Sequence, residues 1–173
     1  GALDGLVVAD FSRVLAGPYA TMLLADLGAE VVKVERPGLG DDTRHWGPPW
    51  TESGSSSYFE CVNRSKRSIA LDLTDPVDLA AARELAQRAD VVVENFLTGT
   101  LDRLGLGYDE LGAANPGLVY CSITGFGQTG PYANRPGFDL IAQGMSGIMS
   151  VTGDPDGTPV KCGVPSADLA VGL

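Results

Sequence analysis

An α/β fold, in which helices flank a mostly parallel sheet, is the architecture the sequence predicts. Three observations carry this. Valine-rich apolar runs of strand length recur, among them LVVADF, EVVKVE and VVVENF, each bounded by turn residues. Longer segments with apolar residues at helical spacing lie between them. The two alternate along most of the chain, the order that builds parallel sheets through crossover helices.

Residues 6–11 form the first expected strand, followed by a small-residue turn at Ala16-Gly17-Pro18. A helix over 19–27 ends at Gly28, a natural helix stop. Residues 30–35 are the second strand. The stretch 37–57, PGLGDDTRHWGPPWTESGSSS, is rich in glycine, proline and serine and holds both tryptophans and the single histidine. It predicts a long loop, and such loops in compact domains are usually functional or mobile.

A third strand is expected over 68–73, then a helix capped by Thr74 or Asp75, with Pro76 at its first position, running to about Ala89. Residues 91–96 are the fourth strand, with short helices near 98–104 and 108–114. Residues 118–124 form the last clear strand and lead into Gly125-Phe126-Gly127. A helix is expected from about Phe138 towards Ser150. The final residues, PSADLAVGL, read as the opening of an apolar helix with Ser166 as its cap. An isolated stub of this length is not stable alone, so the reading is of a chain cut from a longer one.

Composition excludes several function classes. The 173 residues suffice for one domain with a sizeable core. Twelve Lys and Arg against 22 Asp and Glu give a net charge of -10, which disfavours nucleic acid, whose binding rests on neutralising phosphates. No apolar run approaches the roughly 18 residues of a membrane span, and no secretory signal is visible, so the cytoplasm is the expected location. Cys61, Cys121 and Cys162 form no close pair, which argues against a disulfide framework or a zinc site; at least two are expected to be buried structural thiols. Arg64, Lys66 and Arg67 make a local basic cluster, either a seat for a phosphorylated ligand or a solvated face.

Several candidate sites fall at the carboxyl ends of strands, where open α/β sheets bind ligands. The turn at Val14, Leu15 and Ala16 lets a ligand approach backbone N–H groups at a helix start, unless it is a plain tight turn. It lacks the G-x-G-x-x-G dinucleotide pattern. Arg36 follows the second strand, suited to a phosphate through its bidentate fork, or else paired on the surface with Glu35 or Asp41. Asn95, Phe96 and Leu97 close the fourth strand, with Arg103 beyond. The amide and ring could hydrogen-bond and stack on a purine, or Phe96 could pack in the core. Asp168 sits in the first turn of the last helix, where the helix start favours an ionised carboxylate; beside a thioester that is a nucleophile, and otherwise a capping aspartate.

Taken together these segments closely resemble the family III CoA-transferases, the CaiB/BaiF group. The matching runs are LDGLVVADFSRVLAGPYATMLLADLGAEVVKVERPG, VNRSKRSIALDL, ADVVVENFLTGTLDRLGLGYDEL, NPGLVYCSITGFGQTGP, GFDLIAQGMSGIMSVTG and GVPSADLAVGL. The resemblance implies that residues 1–173 are the amino-terminal, Rossmann-like, CoA-binding part of a larger domain. The small domain and the returning carboxyl-terminal segment of family members would lie outside it. It further implies interlocked homodimers in the full-length protein, and weak binding without turnover by this portion alone.

The activity implied is transfer of CoA between an acyl-CoA and a free carboxylic acid, with Asp168 as nucleophile, passing through a mixed anhydride and an aspartyl-CoA thioester. No metal or redox cofactor is implied beyond CoA itself. CoA contacts carried over by position fall on Val14, Leu15, Ala16, Arg36, Leu71, Asp72, Leu73, Thr74, Asn95, Phe96, Leu97 and Arg103, with Gly137, Phe138 and Asp139 near the reacting end. The related α-methylacyl-CoA racemases use a histidine at the position resembling Phe138, which cannot accept a proton. A CoA-binding portion without chemistry is the alternative.

Overall fold

The computed structural model describes residues 1–173. Five strands, β1 (Val7–Asp10), β2 (Glu30–Glu35), β3 (Arg67–Ala70), β4 (Val91–Glu94) and β5 (Val119–Ser122), form one sheet in the order β3-β2-β1-β4-β5. Every pairing is parallel, with Val8 opposite Val31 on one side and Val91 on the other. The expected α/β architecture is the one observed. Chain order reverses between β1 and β4, opening the crevice beyond their carboxyl ends in which doubly wound sheets bind ligands.

Helix α1 (Ala16–Asp26) crosses from β1 to β2, with α2 (Ser57–Asn63) before β3 and α3 (Pro76–Arg88) between β3 and β4. Helices α4 (Thr100–Arg103) and α5 (Tyr108–Ala114) precede β5, and α6 (Asp139–Met145) and α7 (Ser166–Gly172) follow it. Alternate side chains of the strands serve opposite layers. Val8, Val31 and Val93 pack with Ala25 and Ala29 at the α1 end. Ala9, Val34 and Val92 pack with Ala82 and Ala86 of α3, Leu101 of α4 and Leu106 and Leu111 around α5. Ala82 and Ala86 stand four residues apart on one face of α3 and are fully buried, so this helix lies close against the sheet.

Several expectations need correction. Ala16-Gly17-Pro18 is not a turn but the first turn of α1, where proline's missing N–H costs nothing. Asp75, not Thr74, caps α3 by accepting from the N–H groups of Val77 and Asp78. The 37–57 stretch holds a 3-10 turn at Asp42–His45, a bridge between Trp50 and Ser56, and three buried polar residues, Asp41, Thr43 and Ser56. Helix α2 was not anticipated: its SYFECVN sequence is a poor helix former, and tertiary packing of Phe59 and Val62 holds it. The helix expected over 138–150 stops at Met145; Gly147 takes φ 85° and a 3-10 turn, Ile148–Val151, follows.

The thiols expected to be buried are not: Cys61 and Cys121 are exposed and Cys162 is half-buried. Cys121 lies on the sheet's edge strand and Cys61 on the solvent side of α2, so neither reaches a core layer. The basic cluster divides: the Arg64 and Arg67 side chains stand on a solvated face and that of Lys66 is buried. Arg64 pairs with Asp26 at 2.6 Å, Arg67 pairs with Glu30, and Lys66 turns inward onto Asp10 at 3.1 Å. No helix is long and apolar enough to cross a membrane.

Candidate active site

A buried charge network underlies the crevice. Lys33 of β2, 1% exposed, reaches the Asp41 carboxylate at 3.0 Å and the Ser12 carbonyl at 2.8 Å. Asp10 at the end of β1 accepts from Lys66 and from the hydroxyls of Thr21 and Ser12. Burial alone would raise the Asp10 pKa, but Lys33, Lys66 and the two hydroxyls more than offset it and hold the group below its ordinary value. Burial likewise pushes the Lys66 amine down to about 8 against the attraction of Asp10. For Glu35, burial is outweighed by Arg44, the Ser68 hydroxyl and the Asp41 N–H, which bring its pKa to about 2.

This network fixes the first candidate turn. Val14 stands at φ 70°, a left-handed conformation that a β-branched side chain rarely takes. Its N–H points at the Asp41 carboxylate, 3.2 and 3.4 Å from the two oxygens, and Asp41 is pinned by Lys33 and Thr43. Asn95, closing β4, grips the neighbouring residue: its Oδ1 accepts from the Arg13 N–H at 2.9 Å and its Nδ2 donates to the Arg13 carbonyl at 2.6 Å. Each end of the Asn95 amide is thus engaged once by Arg13 backbone, which leaves one N–H and one lone pair beside the cavity. Backbone strain maintained by surrounding contacts is a common mark of functional sites.

Two cavities share the Arg13–Phe96 wall, in which the guanidinium stands 5.3 Å from the ring centroid. The first, about 240 Å³, is lined by Arg36, Leu71, Asp72, Leu73 and Thr74 together with Phe11 and Val34. Arg36 extends half-exposed, paired with Asp42 at 2.9 Å and not with Glu35 or Asp41. Residues Leu71 to Thr74 lie beyond the end of β3, where Asp72 accepts from both the N–H and the hydroxyl of Thr74.

The second cavity, about 540 Å³, is lined by Val14, Leu15, Ala16, Asn95, Phe96 and Leu97 on one side and by Gly137, Phe138, Asp139 and Asp168 on the other. All the sequence-marked positions but one thus line one or other of two adjoining spaces. Arg103 is the exception: it lines neither, and its guanidinium reaches only Thr100.

Close backbone contacts bring the reacting side together. A Cβ on Gly125 would stand 2.3 Å from the Cα of Gly137, and the reverse also holds, so both positions need glycine for the 137–139 segment to rest on the end of β5. A Cβ on Gly172 would meet the Ala16 carbonyl at 2.8 Å; its absence lets α7 pack on α1 and carry Asp168 to the cavity.

Ser166 does not cap α7, and its hydroxyl is buried without a partner. Asp139 does so from 28 residues away, its Oδ1 accepting from the N–H of Ala167 at 2.8 Å and, more weakly, of Asp168 at 3.4 Å. The helix start expected to favour an ionised Asp168 is therefore engaged by another carboxylate. Burial first, and the Asp139 charge second, raise the Asp168 pKa, opposite in direction to the expectation. Tyr58 of α2 senses the same charges: burial and then Asp168 push its phenol up to about 12.

The cavity walls also include residues the sequence did not mark. Arg13 and Trp46 are among them, Trp46 set edge-on to Tyr58 with centroids 5.3 Å apart. Arg135 lies over the Tyr132 ring at 4.1 Å.

The family model of CoA-transferase family III matches residues 3–173. The chain belongs to that family. Among curated relatives, mouse succinyl-CoA:glutarate CoA-transferase is 55% identical over 171 residues, covering 99% of this chain and 39% of that protein. The acetyl-CoA:oxalate CoA-transferase of Acetobacter aceti is 51% identical over 174 residues, 100% of this chain and 44% of the relative. A solved CAIB/BAIF family protein from Brucella suis superposes with a TM-score of 0.91 at 54% identity, covering 96% of this chain and 44% of that structure. The chain thus spans about two fifths of the length of these relatives.

Proposed function

We propose that the full native polypeptide transfers CoA from an acyl-CoA to a free carboxylic acid, with the Asp168 carboxylate as nucleophile. The observation that carries this is the joined pair of cavities. One, lined by Arg36 and Leu71 to Thr74, is of a size and character to hold the adenosine end of CoA. The other has Asp168 across from the strained Val14 turn. A thioester reaching from the first along the Arg13–Phe96 wall would meet Asp168 in the second.

In this mechanism an Asp168 oxygen attacks the thioester carbonyl, the C–S bond breaks, and CoA leaves as thiolate from an acyl-aspartyl anhydride. The thiolate then attacks the aspartyl carbonyl, releasing the donor acid and leaving an aspartyl-CoA thioester. The acceptor carboxylate repeats the two steps in reverse, so Asp168 is regenerated and no redox or metal chemistry is needed. Phe138 in the same wall has no proton to exchange, which favours transfer over racemisation.

The acceptor is proposed to be a short dicarboxylic acid. Relatives 55% and 51% identical are named for glutarate and oxalate, and Arg13 and Arg135 place two cations in the wall that holds Asp168. Pairing of two copies into an interlocked homodimer, and action in the cytoplasm, belong to the same proposal.

An oxygen-label experiment tests the reaction. With the acceptor acid labelled at both carboxylate oxygens, one labelled oxygen is expected in the new thioester and one on the peptide containing Asp168. Label that enters the acyl-CoA without marking the protein would overturn the covalent route.

A further inference from the structure

Gln143, 0% accessible, is the largest uncharged polar side chain that the fold buries completely, and the transfer chemistry gives it no task. It lies one turn after Asp139 on α6, and its contacts run in two directions. Its Nε2 donates to Asp139 Oδ2 at 2.6 Å, and its Oε1 accepts from the Cys162 N–H at 2.8 Å, with the Val164 carbonyl 3.4 Å from Nε2. Asp139 in turn uses its other oxygen on the N–H groups of Ala167 and Asp168. One buried amide thus ties the backbone entering α7 to the carboxylate that caps α7.

We propose that Gln143 is a positioning residue for the reaction: through Asp139 and the 162–164 backbone it sets where α7 begins, and so where the Asp168 carboxylate stands in the cavity. The role rests on the reading of Asp168 as nucleophile. The geometry leaves Asp168 little other restraint at its own end of the helix. Ser166 offers no cap, and the first-turn N–H groups of Ala167 and Asp168 find their acceptor in Asp139 alone. Gln143 lines neither cavity, so it reaches the ligand only through these contacts. A displacement of about 1 Å at a reacting atom can cost on the order of 100-fold in rate.

Two variants of the full native polypeptide test this. Gln143→Leu keeps the volume but removes both contacts. It should lower kcat by about 10- to 100-fold while KM for acyl-CoA stays within about twofold, because the cavity assigned to the adenosine end is untouched. Gln143→Glu keeps the acceptor for Cys162 but sets a second carboxylate against Asp139. The titratable groups around position 143 are Asp139, which its amide touches, Cys162, whose N–H it accepts, and Asp168 and Tyr58, both of which feel the Asp139 charge. Below the pKa of the introduced acid its hydroxyl donates as the amide did. The variant's activity relative to wild type should therefore recover as pH falls, a change that loss of packing would not produce.

Wild-type protein that forms no adduct at Asp168 would remove the functional reading itself. Wild-type protein that forms one, with either Gln143→Leu reacting at an undiminished rate or Gln143→Glu showing a flat relative pH profile, would overturn the positioning role alone.

Discussion

Replacing Asp168 by asparagine is expected to abolish CoA transfer in the full native polypeptide, a loss of at least about 1,000-fold, while leaving CoA affinity within about threefold. The amide is nearly the size of the carboxylate, so α7 keeps its seat on α1 and Asp139 keeps its hold on the first-turn N–H groups. Only the nucleophilic oxygen is lost. The residues assigned to the adenosine end, Arg36 and Leu71 to Thr74, belong to a cavity that Asp168 does not line. Kinetics on matched acyl-CoA and acid, with CoA affinity measured by calorimetry, separate the two effects. Retained transfer would remove Asp168 from the mechanism, and a parallel loss of CoA binding would indicate that the substitution disturbed the fold.

The second large effect concerns stability. Lys33→Met should destabilise the protein by about 3–5 kcal/mol, because methionine keeps the apolar stem but leaves Asp41, fully enclosed, without its cation. Asp10 loses part of the charge that holds its pKa down, so a second buried carboxylate becomes harder to keep ionised. Arg64→Met removes an exposed partner of Asp26 and should cost no more than about 1 kcal/mol. Denaturant midpoints of the two variants decide the matter, and equal shifts would contradict the account. The Val14 turn should loosen in the lysine variant, since the carboxylate that receives its N–H is no longer anchored.

How much of this could be read from the sequence follows from the range of the interactions. The strands were legible because EVVKVE and VVVENF state their burial locally, and the strand ends they imply do line the cavities. Lys33 was hidden inside such a strand: nothing near it in sequence marks its partner Asp41 eight residues on, nor Ser12 from the preceding unit. Arg64, Lys66 and Arg67 read as one cluster because sequence shows neighbours and not the distant Asp26, Asp10 and Glu30 that separate them. Ser166 was the better local cap for α7, yet Asp139 took the role from 28 residues away. Burial first, and the charge of that same distant partner second, turned the Asp168 pKa in the unexpected direction. Gln143 carried no local signal at all, since an amide on an amphipathic helix is read as solvated until the segment that buries it is placed.

The central claim is that Asp168 becomes covalently acylated. The most direct test is mass spectrometry of the full native polypeptide incubated with a short dicarboxylic acyl-CoA and then treated with hydroxylamine or borohydride. The account predicts a hydroxamate or a reduced alcohol confined to the peptide containing Asp168, dependent on acyl-CoA and absent from Asp168→Asn. An unmodified Asp168 peptide from protein that is turning over and has bound CoA would contradict it.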